Sequence, residues 1–156
     1  YKKYINPLSR LLLIGEYRNC WRYTKGMMDL VKDLGIGDVH FTGMVDDSEL
    51  VAAYDLADAF VCMSEHEGFC VPLLEAMHFD LPVIAFNAGA VPETLGGAGL
   101  LLESKKPIEV AELVDILRTN SSFREKVIQK QRDRLEQFRG MNLEVRVSEL
   151  LRETIS

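Results

Sequence analysis

Five short apolar runs limit what this chain can become. They are LLLIG (11–15), VHFTG (39–43), AFVCMS (59–64), PVIAFN (82–87) and GLLLE (99–103). Each is rich in aliphatic or aromatic residues, and none alternates cleanly between polar and apolar positions. A strand with one wet face would alternate; a strand covered on both faces does not. The runs therefore predict buried parallel strands with helices on either side. Helical patterns fill the intervals. Together they predict an α/β fold: a doubly wound parallel sheet followed by a helical C-terminal extension.

The helices are legible from their ends and stripes. Trp21 to Leu34 carries Trp21, Met27, Met28, Leu30, Val31 and Leu34 on its apolar side and closes at Gly35, with Trp21 expected in the core. In DDSELVAAYDL (46–56), Asp46 or Asp47 is expected to cap, with acids in the first turn favouring the dipole. Pro72 suits the first turn of a short helix, and Glu93 after Pro92 is expected at the start of another. Pro107–Arg118, Ser121–Phe138 and a last stretch from about Asn142 to Ile155 complete the set. EKVIQKQRDRLE (125–136) reads as a solvated helix face laced with i, i+4 pairs.

Composition narrows the function. A formal charge of −6, with no long Lys/Arg run, argues against a general nucleic-acid binder. No apolar run approaches the roughly 18 residues that span a bilayer. Cys20, Cys62 and Cys70 form no CxxC pair, and His40, His66 and His78 lack the spacing of a helical metal pair. We therefore expect no metal, no disulfide framework and a reducing, cytoplasmic setting.

In a doubly wound sheet, ligands bind beyond the carboxyl ends of the strands. Those turns hold Gly15-Glu16, Gly43-Met44-Val45, Ser64 to Phe69, and Asn87 to Glu93. One of them, SEHEGFCVPLLEAM (64–77), sets Glu67 and Glu75 around an apolar helix start. Gly68 lets a ligand come close to the backbone. Helix amides near Val71 and Leu73 attract anions, phosphate above all. A carboxylate accepts charge-assisted hydrogen bonds from a sugar diol. Two of them flanking a phosphate site suit a sugar–diphosphate–ribose ligand. Eight residues of helix span about 12 Å, too far for a glycosidase pair, which needs roughly 5–9.5 Å. Taken out of this context, each glutamate reads first as a solvent-facing charge, since charged side chains are mostly exposed; its place at a strand's carboxyl end and helix start lowers that reading.

The ordered set FTG–Val45, Tyr54…Ala57-Asp58, EGF, EAM, LPVIA, VPE and GAGLLL resembles the C-terminal domain of retaining GT-B-fold glycosyltransferases, the sucrose-synthase-like and mannosyltransferase-like group 1 enzymes. The Glu67–Glu75 spacing is that group's hallmark, and the likeness runs from about Arg10 to Leu102. It implies a Rossmann-like half of a GT-B fold that binds a nucleotide-sugar donor, UDP- or GDP-linked, as substrate, without a cofactor. It implies that Glu75 binds the ribose hydroxyls and that Glu67 holds the transferred sugar at the reaction centre. Gly68, Phe69, Cys70 and Val71, with Leu73, line the sugar and phosphate. Gly43, Met44 and Val45 adjoin the base, and Gly15 and Glu16 border the cleft. The implied reaction is sugar transfer with retention, without a protein nucleophile.

The chain departs from the group at several points. The family's upstream Arg and Lys clamp and its N-terminal acceptor domain are not among these residues. Residues 1–156 are thus expected to be a piece that also lacks the first strand and helix of its own domain and is inactive alone. A carbohydrate or lipid-linked acceptor, and any peripheral membrane contact, would belong to the full-length protein. The family often has glycine where this chain has Cys70 and Asp80. A GT-B-type nucleotide-sugar epimerase and a non-catalytic interaction module are the competing readings. His66 is expected to face solvent.

Overall fold

The structure, a computed structural model, describes residues 1–17 and 20–140. The last helix expected from the sequence lies outside the described residues. Five strands, β1 (Leu11–Ile14), β2 (Val39–Gly43), β3 (Phe60–Cys62), β4 (Val83–Phe86) and β5 (Leu100–Leu102), alternate with helices. These are α1 (Trp21–Asp33), α2 (Asp47–Leu56), α3 (Val71–His78), α4 (Val91–Leu95), α5 (Pro107–Thr119) and α6 (Ser121–Arg139). Every strand pair is parallel, so the α/β reading holds. The helix ends follow from local chemistry. Asp46 accepts from the Glu49 amide while Glu49 reaches back to the Asp46 amide, a full capping box. Asn120 caps α6 through the Phe123 amide.

The strands fall into two sheets, β1–β2 and β3–β4–β5. The doubly wound order 3-2-1-4-5-6 has one strand between such a pair and such a trio. This division decides which strands are buried. In β4, Val83, Ile84 and Ala85 are fully covered. Their alternation sends Val83 and Ala85 into a core with Leu73, Met77, Val91 and Leu95, and Ile84 into a second core with Leu117 and Val127. β1 does not meet the same expectation: Leu11 and Leu12 are 49% and 46% exposed. Among the described residues it has a partner strand on one edge only, and the neighbours that would cover a central parallel strand are incomplete. Trp21 is likewise 52% exposed rather than in the core, because α1 stands off from β2 across an open cavity. A cavity of about 560 Å³ opens between α1 and β2, lined by Met28, Val31 and Val39–Thr42. It lies beneath a helix and not at the strand ends.

Helix α6 buries apolar residues of a narrow stripe, and of the residues expected on its solvated face Gln131 departs from the reading. Val127, Ile128 and Gln131 are buried in it. The Gln131 amide oxygen accepts from the Val83 backbone N–H at 2.9 Å, and its amide nitrogen donates to the Leu81 carbonyl at 2.9 Å. Arg134 donates to the Thr94 carbonyl at 3.1 Å and to the Glu93 carbonyl at 2.5 Å, fastening α4. Arg132 grips Asp80 with two bonds of 2.7 and 2.8 Å, and that pairing holds the Asp80 carboxyl below its usual range. Asp80 is left-handed at φ 53°, which explains why glycine suits this position. Among the described residues, no helix is long and apolar enough to cross a membrane.

Candidate functional site

The turn from β3 into α3 is built from unusual backbone. Cys70 occupies the N-cap of α3 at φ 59°, ψ 61°. A side chain in that region is uncommon and costs on the order of 1 kcal/mol relative to glycine. Its surroundings fix it there: Cys70 is 6% exposed and its Sγ lies 3.9 Å from the Cys62 Sγ of β3. No side chain caps the α3 N-terminus and no acid lies in its first turn, so its dipole is not offset locally.

Glu67 is held through its backbone. Its carbonyl accepts from the Ala90 amide at 3.2 Å. Gly89 presses against the same peptide: a Cβ there would lie 2.6 Å from the Glu67 carbonyl oxygen and 3.1 Å from its nitrogen. Two residues on, the Phe69 carbonyl accepts from the buried Thr94 hydroxyl at 2.6 Å. The loop therefore rests on the β4–α4 turn at two points. Gly68 has open space where a Cβ would stand. Phe69 is half exposed and packs edge-on to Phe138 at 6.0 Å.

Glu75 is held through its side chain. The buried Tyr54 hydroxyl of α2 donates to Glu75 Oε2 at 2.9 Å. The Tyr54 ring stacks on Phe79 at 5.3 Å, which fixes the phenol's direction. Burial, then the Glu75 carboxylate, raises the Tyr54 pKa well above that of a free phenol, so it remains a donor. Cys70 also acts on Tyr54. The Cys70 thiol is itself pushed up to about 12, first by burial, then by Cys62 and Glu67. Tyr54 and Cys70 belong to one buried cluster, with Glu75 bonded to the Tyr54 hydroxyl and a Glu67 carboxylate oxygen within 4.8 Å of the Cys70 Sγ.

The predicted residues form two groups. Glu67, Gly68, Phe69, Cys70, Val71 and Glu75 surround the start of α3. Leu73 lies beneath them, fully buried, with its amide donated to the Cys70 carbonyl; it supports the helix and offers no surface. Gly15, Glu16, Gly43, Met44 and Val45 form the second group, at the carboxyl end of β1–β2. The Gly15 amide donates to the Gly43 carbonyl at 3.0 Å. Gly43, at φ 73°, lies against Tyr17, where a Cβ would come within 3.1 Å of the ring. Met44 stands exposed on this turn. His66 is exposed as expected, and Glu93 occupies the first turn of α4.

Sequence reasoning gave no role at the site to Tyr54, Gly89, Thr94 or Cys62, although Tyr54 stands in the motif set and Gly89 in the Asn87 to Glu93 turn. Tyr54 sits in an apolar helical stripe and reads as core. The only hint of Thr94 was a lone hydroxyl in VPETL. One further grouping was unexpected: Cys62, Glu67 and Cys70 bring their ligand atoms within 4.8 Å of one another.

Comparison with known proteins bears on this site. The family profile described as glycosyl transferases group 1 matches residues 2–134. An MMP α-(1→4)-mannosyltransferase of Mycolicibacterium hassiacum is 38% identical over 89 residues, covering 56% of this chain and 22% of that protein. A GDP-mannose-dependent α-(1-6)-phosphatidylinositol monomannoside mannosyltransferase of Mycobacterium tuberculosis is 36% identical over 102 residues, covering 59% and 26%. The crystal structure of the C-terminal domain of a glycosyl transferase group 1 family protein, LpcC from Francisella tularensis, superposes with a TM-score of 0.71 at 33% identity. It covers 87% of this chain and 71% of that domain. The chain therefore spans about a quarter or less of these two full-length relatives.

Proposed function

Since this chain belongs to the group 1 glycosyltransferases and is a C-terminal domain of the GT-B type, we propose that it supplies the donor site of an enzyme that moves a sugar from a nucleotide to an acceptor with retention. The observation that carries the reading is that both glutamates are held in place, Glu67 by the Ala90 amide and Gly89 before α3 begins and Glu75 by the Tyr54 hydroxyl within α3. Glu75, oriented by Tyr54, accepts hydrogen bonds from the ribose diol. Glu67, fixed by Gly89 and Ala90, holds the transferred sugar over the turn. The uncapped α3 amides take the diphosphate. Met44 and Val45 border the base. Family membership favours this reading over an epimerase or an interaction module.

The residues would act by positioning and electrostatics. Departure of the nucleoside diphosphate places negative charge beside the α3 N-terminus, where amide dipoles stabilise it more strongly than they do the intact donor. The departing phosphate oxygen accepts the acceptor's proton, so no carboxylate needs to form a covalent bond. No metal takes part in this scheme. Two relatives are named mannosyltransferases, one of them GDP-mannose-dependent, which puts GDP-mannose first among donors to test, ahead of UDP-sugars. Among the described residues β1 and β3 each have an edge without a partner strand, which supports one more parallel strand supplied by a longer polypeptide. Free cysteines support a cytoplasmic setting.

The test is a thermal-shift series on this chain with GDP, UDP, ADP and their sugars. Binding in the millimolar range, with no sugar transfer, is the expected result. A folded sample that responds to none of them removes the donor site, and transfer by this chain alone removes the claim that it is incomplete. In the full-length enzyme, Tyr54→Phe is expected to raise the donor KM about tenfold with little change in kcat, since one hydrogen bond to a charged group contributes about 1.5 kcal/mol or more. Glu75→Ala should raise it at least as much. An unchanged KM in both would separate Glu75 from the donor.

A further inference from the structure

We propose that Cys62, Cys70 and Glu67 form a binding site for a thiophilic divalent cation of the zinc class, and that occupancy withdraws Glu67 from the sugar. The geometry comes first. Two sulfurs bound to one tetrahedral zinc at about 2.3 Å each are separated by about 3.8 Å. Cys62 and Cys70 hold theirs at 3.9 Å. At that separation the two free thiols touch without a disulfide, which would need about 2.05 Å, and an ion could bind both sulfurs with little movement of either. The Glu67 carboxylate completes three ligands within 4.8 Å. A sulfur and a carboxylate oxygen on one tetrahedral zinc lie about 3.5 Å apart, so only a small side-chain rotation is required.

The framework is rigid where it needs to be. Cys62 ends a strand hydrogen-bonded to β4, and Cys70 is the buried, left-handed cap of α3. Glu67 is clamped between them by Gly89 and Ala90. Two thiols and a carboxylate therefore converge in a half-buried setting, each able to offer one ligand atom. A soft dication bound by both sulfurs displaces the two thiol protons to solvent. Three protein ligands would leave the fourth tetrahedral position to water. The cation site stands on its own geometry; the withdrawal of Glu67 rests on the donor-site reading.

The experiment is a Co²⁺ titration of the full chain in a phosphine reductant, followed by absorption. A thiolate-to-cobalt charge-transfer band saturating at one equivalent and bleached by Zn²⁺ is expected. Cys62→Ser and Cys70→Ser should each weaken cobalt binding by at least about tenfold, on the ligand dependence of such sites. Cys20→Ser, at an exposed cysteine, should leave the spectrum unchanged. Glu67→Gln keeps both thiolates and should retain the band at lower affinity, which guards against misfolded serine variants; circular dichroism checks each one. No thiolate band, or a band that survives loss of both Cys62 and Cys70, overturns the site. In the full-length enzyme, Zn²⁺ should suppress transfer by the native protein and spare Cys62→Ser. A cobalt band without zinc inhibition overturns the withdrawal of Glu67 while the cation site stands. An enzyme inactive with every donor would instead count against the donor reading.

Discussion

Gln131→Met is expected to lower the melting temperature of this chain by about 5 to 15 °C. The substitution keeps the length of the side chain and removes only its amide. In the native fold that amide satisfies two backbone groups, the Val83 N–H and the Leu81 carbonyl. Gln131 is fully buried, as is Val83, and Leu81 nearly so. Water cannot replace the lost partner without opening the α6 interface. Leaving a buried donor or acceptor unpaired costs about 1–3 kcal/mol each, and each kcal/mol moves the midpoint of a domain this size by about 2–4 °C. The methionine contributes some apolar contact, which is why the lower end is included. Gln131→Glu separates the two bonds: it keeps an acceptor for Val83, loses the donor to Leu81 and buries a charge. It should destabilise at least as much as methionine. If Gln131→Met melts within about 1 °C of the native chain, the α6 amide does not hold the β4 entry as described.

The same residue shows why parts of this fold are readable from sequence and others are not. Strand positions were legible because apolar runs carry the signal over several neighbours at once: Val39–Gly43 is bounded as expected, and Val83–Phe86 lies inside its run. Helix starts were legible where a side chain caps its own backbone, as Asp46 does with Glu49. Gln131 carries no such local signal. Its partners lie 48 and 50 residues away in sequence, and a glutamine among Lys, Arg and Asp reads as surface. The burial of β1 was misjudged for a related reason. LLLI specifies a strand that belongs inside a sheet, but its cover depends on what lies at its other edge. At the candidate site, Glu67 and Glu75 were found through spacing, whereas Tyr54 and Gly89 were not. Their roles are fixed by contacts across turns far apart in the chain.

Gly89→Ala should cut the turnover of the full-length enzyme about 100-fold while changing donor KM little. The added Cβ would stand 2.6 Å from the Glu67 carbonyl oxygen and 3.1 Å from the Glu67 nitrogen. Both are backbone atoms, so no flexible side-chain end can yield. The loop must move, and Glu67 moves with it. A displacement near 1 Å at a positioning group costs on the order of 10²-fold in rate. Glu75 is anchored separately, through Tyr54 on α2, so ribose binding should persist. Two effects are mixed in this variant, because Gly89 also has φ 54°, and alanine there is strained by about 1 kcal/mol. Gly97→Ala separates them: that residue has φ 84° with open space around its Cβ. It should lose similar stability and keep its turnover. Glu67→Ala sets the scale, with a fall in kcat of about 10²–10³-fold if the carboxylate acts at the reaction centre. Should Gly89→Ala retain turnover within about threefold while Glu67→Ala loses it, the Glu67 side chain matters but its position does not depend on Gly89. Should both retain turnover, Glu67 lies outside the chemistry. The glycine in NAGA then matters only because a close turn needs it.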